Sequence, residues 1–256
     1  MSLPINILSR SFRLILAAPT QTLKVIAPGM IVSGYATYLL FNSLGGLGND
    51  LLDAPAAINF PLFGGALLLS ILGWMTFAIL WHRYALLQGD DRDHIMRPTA
   101  AIFGQYFKGA LVVGVISFLA ALPGGFVLGF VLAILAATSA SIITLASIAL
   151  SLAFAMFLSW VLLRVSLILP AAATGQQLRY SESWQVTKAV SRDILWTAVL
   201  LGVLNVVVEQ LATGLATAMP AYLGLFVILQ IMVQSLIYIS VLSTLYGYLL
   251  QGRSLD

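Results

Sequence analysis

Long apolar runs broken by short polar stretches dominate this chain, and their lengths decide the reading. Crossing a bilayer core of about 30 Å takes roughly 20 apolar residues in a helix. Six runs meet that length, near 23–46, 62–87, 101–136, 142–169, 193–213 and 222–250. The first carries Pro28 in its opening turns, where a kink is expected. The third is too long for one straight span and is interrupted by Pro123-Gly124-Gly125, so the sequence leaves a tilt, a kink and an extension beyond the lipid all open. Gly125 and Gly129 fit close helix packing. Two shorter segments alternate differently. In residues 3–18, Ile5, Leu8, Phe12, Ile15 and Leu16 share a helical face opposite Asn6, Arg10 and Arg13, the pattern of a helix lying on a membrane surface. This segment is read as a retained interfacial helix, because its apolar run is too short for the core of a signal peptide. Residues 178–192 are expected to form an elbow helix with Val186, Ala189, Val190 and, just beyond it, Ile194 on one face and Glu182, Gln185, Lys188 and Arg192 on another.

Composition strengthens this picture. Hydrophobic residues make up 61% of the 256 and charged residues only 8%, with mean hydropathy +1.02. Water-soluble domains carry about 25% charged residues, so lipid must solvate most of this surface. There is no cysteine, which excludes disulfides, thiolate chemistry and cysteine-bound metal. All 12 Lys and Arg fall on the same side of a six-span plan, around the N-terminal helix, the second and third inner loops and the C-terminal tail. None lies in the outer loops near 47–61, 138–141 and 214–221. The positive-inside rule then puts both termini in the cytoplasm. The basic residues are topogenic and suited to anionic headgroups. They form no basic patch with exposed aromatics, so nucleic acid is not an expected partner.

The expected fold is therefore an all-α polytopic membrane protein. Six transmembrane helices form three hairpins, with amphipathic cytoplasmic surface helices and both termini inside. Lys24, Lys108 and Arg192 recur 84 residues apart, each at the start of an odd-numbered span. WHRYALLQG at 81–89, WVLLRVSLI at 160–168 and LYGYLLQGR at 245–253 echo one another at the ends of the even spans. A single membrane domain, 1–256, built from three hairpin units at 1–89, 90–172 and 173–256, accounts for the period. Hairpins of similar length also produce it without any duplication.

Polar groups within spans are the first places to look for function. Asn205 and Glu209 lie one turn apart on the fifth span, Gln230 and Gln234 one turn apart on the sixth. A turn near residue 219 sets Glu209 opposite Gln230 and Asn205 opposite Gln234. An interhelical polar clamp and a proton or solute site centred on Glu209 are the two readings. Arg164 sits at the end of the fourth span, before Pro170, with Trp184, Lys188 and Arg192 following in the elbow. These four are candidates for lipid or partner contact, and Glu182 or Asp193 is a candidate ion-pair partner for Arg164. His82 and His94 with Asp90, Asp91 and Asp93 lack the convergent spacing of a metal site. No nucleophile elbow, HExxH, P-loop or dinucleotide fingerprint is present, so neither catalytic residues, metal nor cofactor is expected.

The elbow text R-x-S-L-x-L-P-A-A-A-x-G followed by S-E-S-W-x-x-T-K resembles the YciC-like family of bacterial inner-membrane proteins. It is also similar to the membrane domain ahead of some glycerophosphodiester phosphodiesterases. Arg164, Leu167, Pro170, Glu182, Ser183, Trp184, Thr187 and Lys188 carry the likeness. It implies a bacterial inner membrane and a fold of helical hairpins, without catalysis, since the phosphodiesterase chemistry belongs to a separate soluble domain. The expected function is a non-enzymatic scaffold or accessory protein that binds membrane lipids, another membrane protein or a second copy of itself. The alternative is a small-molecule or lipid transporter, or one subunit of one.

Overall fold

The computed structural model describes residues 2–43, 59–89, 94–135 and 140–255. Among these, every element is helical and six helices are long and apolar enough to cross a membrane. A short helix α1 (Leu3–Leu16) precedes the hairpin α2 (Pro19–Ser43) and α3 (Phe60–Leu86). The second hairpin is α4 (Ala100–Leu135) with α5 (Ala140–Val165), prolonged by α6 (Ile168–Ala173). The short α7 (Tyr180–Val186) leads into the third hairpin, α8 (Ser191–Ala218) and α9 (Leu223–Gln251), joined through a 3-10 turn at Pro220–Tyr222. The expected class of six spans in three hairpins is thus the fold of the protein. Arg13 Nη2 donates to the Leu255 carbonyl at 3.2 Å, so the two ends of the chain lie on one face, here called the terminal face.

Local chemistry explains where the helices depart from the expected boundaries. The fourth span breaks at Ser166–Leu167 because Pro170 has no N–H to give the Ser166 carbonyl. That carbonyl accepts from Leu169 N instead, at 2.9 Å, and α6 starts afresh. The third span, by contrast, runs unbroken through Pro123 for 36 residues. At 1.5 Å per residue this is about 54 Å, well beyond a 30 Å core. The elbow is not one helix over 178–192: α7 has only seven residues. No surface helix occupies 94–99 ahead of α4; residues 90–93 lie outside the described ones.

Helix α1 also differs from its expected orientation. Its protein-facing side is Pro4, Ile7 and Ser11, while Ile5 and Leu16 are exposed. Ser11 can be buried because its hydroxyl finds partners, the Ile7 carbonyl at 2.7 Å and Thr244 Oγ1 at 3.0 Å. So α1 docks on α8 and α9 and keeps an apolar edge for lipid.

The core gathers toward the terminal face. Ile7, Leu86, Leu163, Ile194, Val241 and Leu245, one from α1 and the rest from all three hairpins, meet there. In α9 the buried run is 240–247, in α3 mostly 75–86, and in α8 it stops at Leu201. Toward the opposite face the helices present Phe118, Phe126, Phe130, Leu145 and Leu211 outward, as lipid-solvated surfaces do. The first hairpin is the tightest contact. A Cβ on Gly73 would sit 2.6 Å from Ser33 N, and one on Gly29 would overlap the Phe77 backbone. Gly125 and Gly129, expected at a close contact, have nothing within 4 Å of the point where a Cβ would stand; it is Gly124 that meets α5, at Phe154.

Backbone cannot yield as a side-chain end can, and overpacking typically costs about 1–3 kcal/mol. Gly73→Val is therefore expected to lower stability by about that amount in SDS-induced unfolding from mild detergent. Gly125→Val should be neutral. Equal losses for both would contradict the α2–α3 contact.

Candidate functional site

A helix end leaves its last four carbonyls without intrahelical donors and carries partial negative charge. On the terminal face, arginines supply the missing donors. Arg83, three residues from the end of α3, donates Nη1 to the carbonyl of Ala173 at the end of α6 (3.0 Å), Nη2 to that of His94 (2.8 Å) and Nε to that of Ile95 (3.3 Å). Arg164, at the end of α5, donates Nη2 to the Trp184 carbonyl in α7 (2.9 Å) and Nε to Thr187 Oγ1 (3.2 Å). Arg253, just past α9, donates Nη1 to Ala85 (2.9 Å) and Nη2 to Leu86, both at the end of α3. The first hairpin is thereby tied to the second, the second to the elbow of the third, and the third back to the first.

Each tie has a local cause. Gly252 takes a left-handed φ of 64°, so Arg253 N returns to Gly247 O at 3.0 Å and the side chain turns toward α3. At the elbow, Arg164 and Thr187 Oγ1 both occupy the Trp184 carbonyl, the latter at 3.0 Å. Lys188 N then bonds Gln185 O at 3.0 Å rather than Trp184 O, and α7 ends. The guanidinium lies between aromatic faces, 3.6 Å from the Trp184 ring centroid and 5.1 Å from that of Trp160. Ser183 Oγ donates to the Arg164 carbonyl at 2.5 Å, closing the α5–α7 contact.

Arg164 is only 4% exposed and its partners are neutral. Glu182 does not pair with it: its carboxylate accepts from Arg179 N at 2.8 Å and caps α7. Trp184, Lys188 and Arg192 are exposed around this buried cation. On the hairpin of α8 and α9, Gln234 Nε2 donates to the backbone carbonyl of Asn205 at 3.2 Å. Glu209 and Asn205 are exposed on α8, and no hydrogen bond joins Glu209 to Gln230 among the described residues. Gln230 lines a small cavity of about 240 Å³ with Thr213 and Thr217. Asp90, Asp91 and Asp93 lie outside the described residues; the His94 carbonyl accepts from Arg83 and from Arg97 N.

Two features escaped sequence reasoning. His82 is fully buried, with Nδ1 2.8 Å from Ser243 Oγ. Ser243 gives its own proton to the Ile239 carbonyl at 2.8 Å, so His82 Nδ1 is the donor and the bond ties α3 to α9. The second is a cleft of about 770 Å³ on the terminal face, between α1 and the ends of α3 and α9. Arg10, Arg13 and Arg253 line it with Tyr84, Gln88 and the apolar Leu14 and Leu16, and no acidic residue is among the described lining residues. Arg13 uses one guanidinium donor and Arg253 two of the five each carries. Burial and the neighbouring charge of Arg10 push Arg253 below the usual guanidinium range. The arginine pattern of α1 was the available signal; its convergence with the tail was not visible in one dimension.

This site and fold define a multi-pass membrane protein with a basic, arginine-stitched face. No family model, curated protein or solved structure matches the chain.

Proposed function

We propose that this is a non-catalytic scaffold or accessory protein of the bacterial inner membrane that holds anionic lipid headgroups at its terminal face, which faces the cytoplasm. The observation that carries this reading is the cleft lined by Arg10, Arg13 and Arg253. Guanidinium groups match phosphate oxygens in fork geometry, and the apolar Leu14 and Leu16 continue the lining where acyl chains begin. The exposed apolar edge of α1 supports a position at headgroup depth. The placement of all 12 basic residues supports the cytoplasmic orientation, and the YciC-like elbow supports the bacterial inner membrane. The transporter reading is favoured by a different observation, a mid-membrane cavity between the hairpins.

Binding of fluorescent phosphatidylglycerol to the protein in neutral micelles tests the headgroup assignment. Arg10→Gln with Arg13→Gln should weaken it about tenfold, as loss of charged hydrogen bonds of roughly 1.5 kcal/mol implies. Unchanged affinity would contradict the assignment.

Orientation is tested in the natively cysteine-free chain. A cysteine at Gln88 should be protected in intact cells from an impermeant maleimide, and one at Thr217 labelled. The opposite pattern would invert the topology.

A further inference from the structure

The start of α1 and the start of α8 leave between them an open groove of about 560 Å³ on the terminal face. It shares no lining residue with the arginine cleft, which is built on the other half of α1. Ser2 and Ile5 border one side, and Arg192, Asp193, Trp196 and Leu200 the other.

The α8 side is graded in polarity. Arg192, Trp196 and Leu200 recur every four residues, so they stand above one another on one helical face. By helix rise, Trp196 lies about 6 Å and Leu200 about 12 Å deeper than Arg192. The wall thus passes from a cation through an indole to an aliphatic side chain as it enters the bilayer. A phospholipid changes from headgroup to acyl chain in the same order, and tryptophan favours the level between. Trp196 is 53% exposed and its indole N–H bonds no described residue, so an ester or phosphate oxygen can reach it. Ile5, also exposed, continues the apolar surface across the groove.

Charge narrows the ligand. Arg192 is exposed and Asp193 half-buried, and neither side chain has a hydrogen-bond or ion-pair partner among the described residues. Successive helix residues point roughly 100° apart, so the two do not neutralise each other, yet both border the groove. A headgroup bearing only negative charge would be drawn to Arg192 and repelled by Asp193. A headgroup with a phosphate and a primary ammonium offers each residue its opposite. The phosphate accepts from the guanidinium fork, and the ammonium donates N–H bonds to the carboxylate. A trimethylammonium carries the same charge with no N–H to donate.

We propose that this groove binds a zwitterionic phospholipid with a primary amine, of the phosphatidylethanolamine class. Its phosphate lies on Arg192, its ammonium on Asp193 and an acyl chain along Trp196 and Leu200. This goes beyond the cleft at Arg10 and Arg13, whose described charged residues are all arginine.

The test is photolabelling of the full-length protein in neutral micelles with phosphatidylethanolamine carrying a diazirine in an acyl chain. Cross-linked peptides are mapped by mass spectrometry, and labelling is expected within 2–5 and 196–200. Unlabelled phosphatidylethanolamine should compete about fivefold better than phosphatidylcholine, the effect of one charged hydrogen bond partly screened by water. Asp193→Asn should erase that preference and Asp193→Glu retain it. Arg192→Gln should weaken both lipids together, since both carry the phosphate. Glycerophosphoethanolamine, the headgroup without chains, should not displace the label at equal concentration. Arg10→Gln with Arg13→Gln should leave labelling unchanged, which separates this site from the headgroup cleft. Equal competition by the two lipids, a preference that survives Asp193→Asn, displacement by the chainless headgroup, or label confined to 10–17 and 84–89 around the cleft would each overturn the proposal.

Discussion

Terminal carbonyls of membrane helices must find donors, and in this protein arginine side chains provide them. Lipid tails are as apolar as leucine, so burying leucine between helices gains little from the hydrophobic effect. Packing and polar contacts must specify which helices meet. Arg83, Arg164 and Arg253 each stand at the end of the returning helix of a hairpin. Each donates to carbonyls beyond its own hairpin or in the elbow that starts the next. The three links follow one another round the molecule. His82 with Ser243 and Ser11 with Thr244 add neutral ties within the same layer.

This constraint explains the uneven core. Side chains from every hairpin pack where the arginines pull helix ends together, and packing thins toward the opposite face. The hairpins keep their own contacts there, as α4 and α5 do at Gly124 and Phe154. Space left between them becomes the mid-membrane cavity, lined by groups that the ring of arginines positions but does not occupy. The cleft at Arg10 and Arg13 arises from the same layer, because Arg253 ties the tail to α3 and Arg13 ties α1 to the tail. The basic cleft and the uncharged cavity are thus two consequences of one arrangement.

The spans were legible in the sequence because apolar run length is a one-dimensional property. The charges were legible as a set: their one-sidedness marked the terminal face without saying what each does. Lys24, Lys108 and Arg192 drew attention by their equal spacing, yet the stitching residues are Arg83, Arg164 and Arg253, within the echoing motifs WHRYALLQG, WVLLRVSLI and LYGYLLQGR. Apart from the Thr187 hydroxyl, their acceptors are backbone carbonyls, which every residue has, so no side-chain pattern reveals them. An acidic partner for Arg164 was the natural expectation, and the structure satisfies the charge with a carbonyl, a hydroxyl and two indole faces instead. The burial of Ser11 on α1 was not legible for a related reason: its partner, Thr244, lies far along the chain. Asn205 and Gln234 were placed opposite each other by counting from the turn, and they are joined, though through the Asn205 backbone.

Hydrogen–deuterium exchange in lipid nanodiscs tests the ring of arginines most directly. Arg253→Lys keeps the charge but loses the guanidinium fork that spans Ala85 and Leu86. The account predicts faster exchange in residues 84–89 of the first hairpin, far away in sequence, as well as in the tail. Arg164→Lys should likewise release 184–190, and Arg179→Lys, on the exposed surface, should change neither. If exchange rises only next to each substituted residue, the arginines anchor their own helices and do not hold the hairpins together.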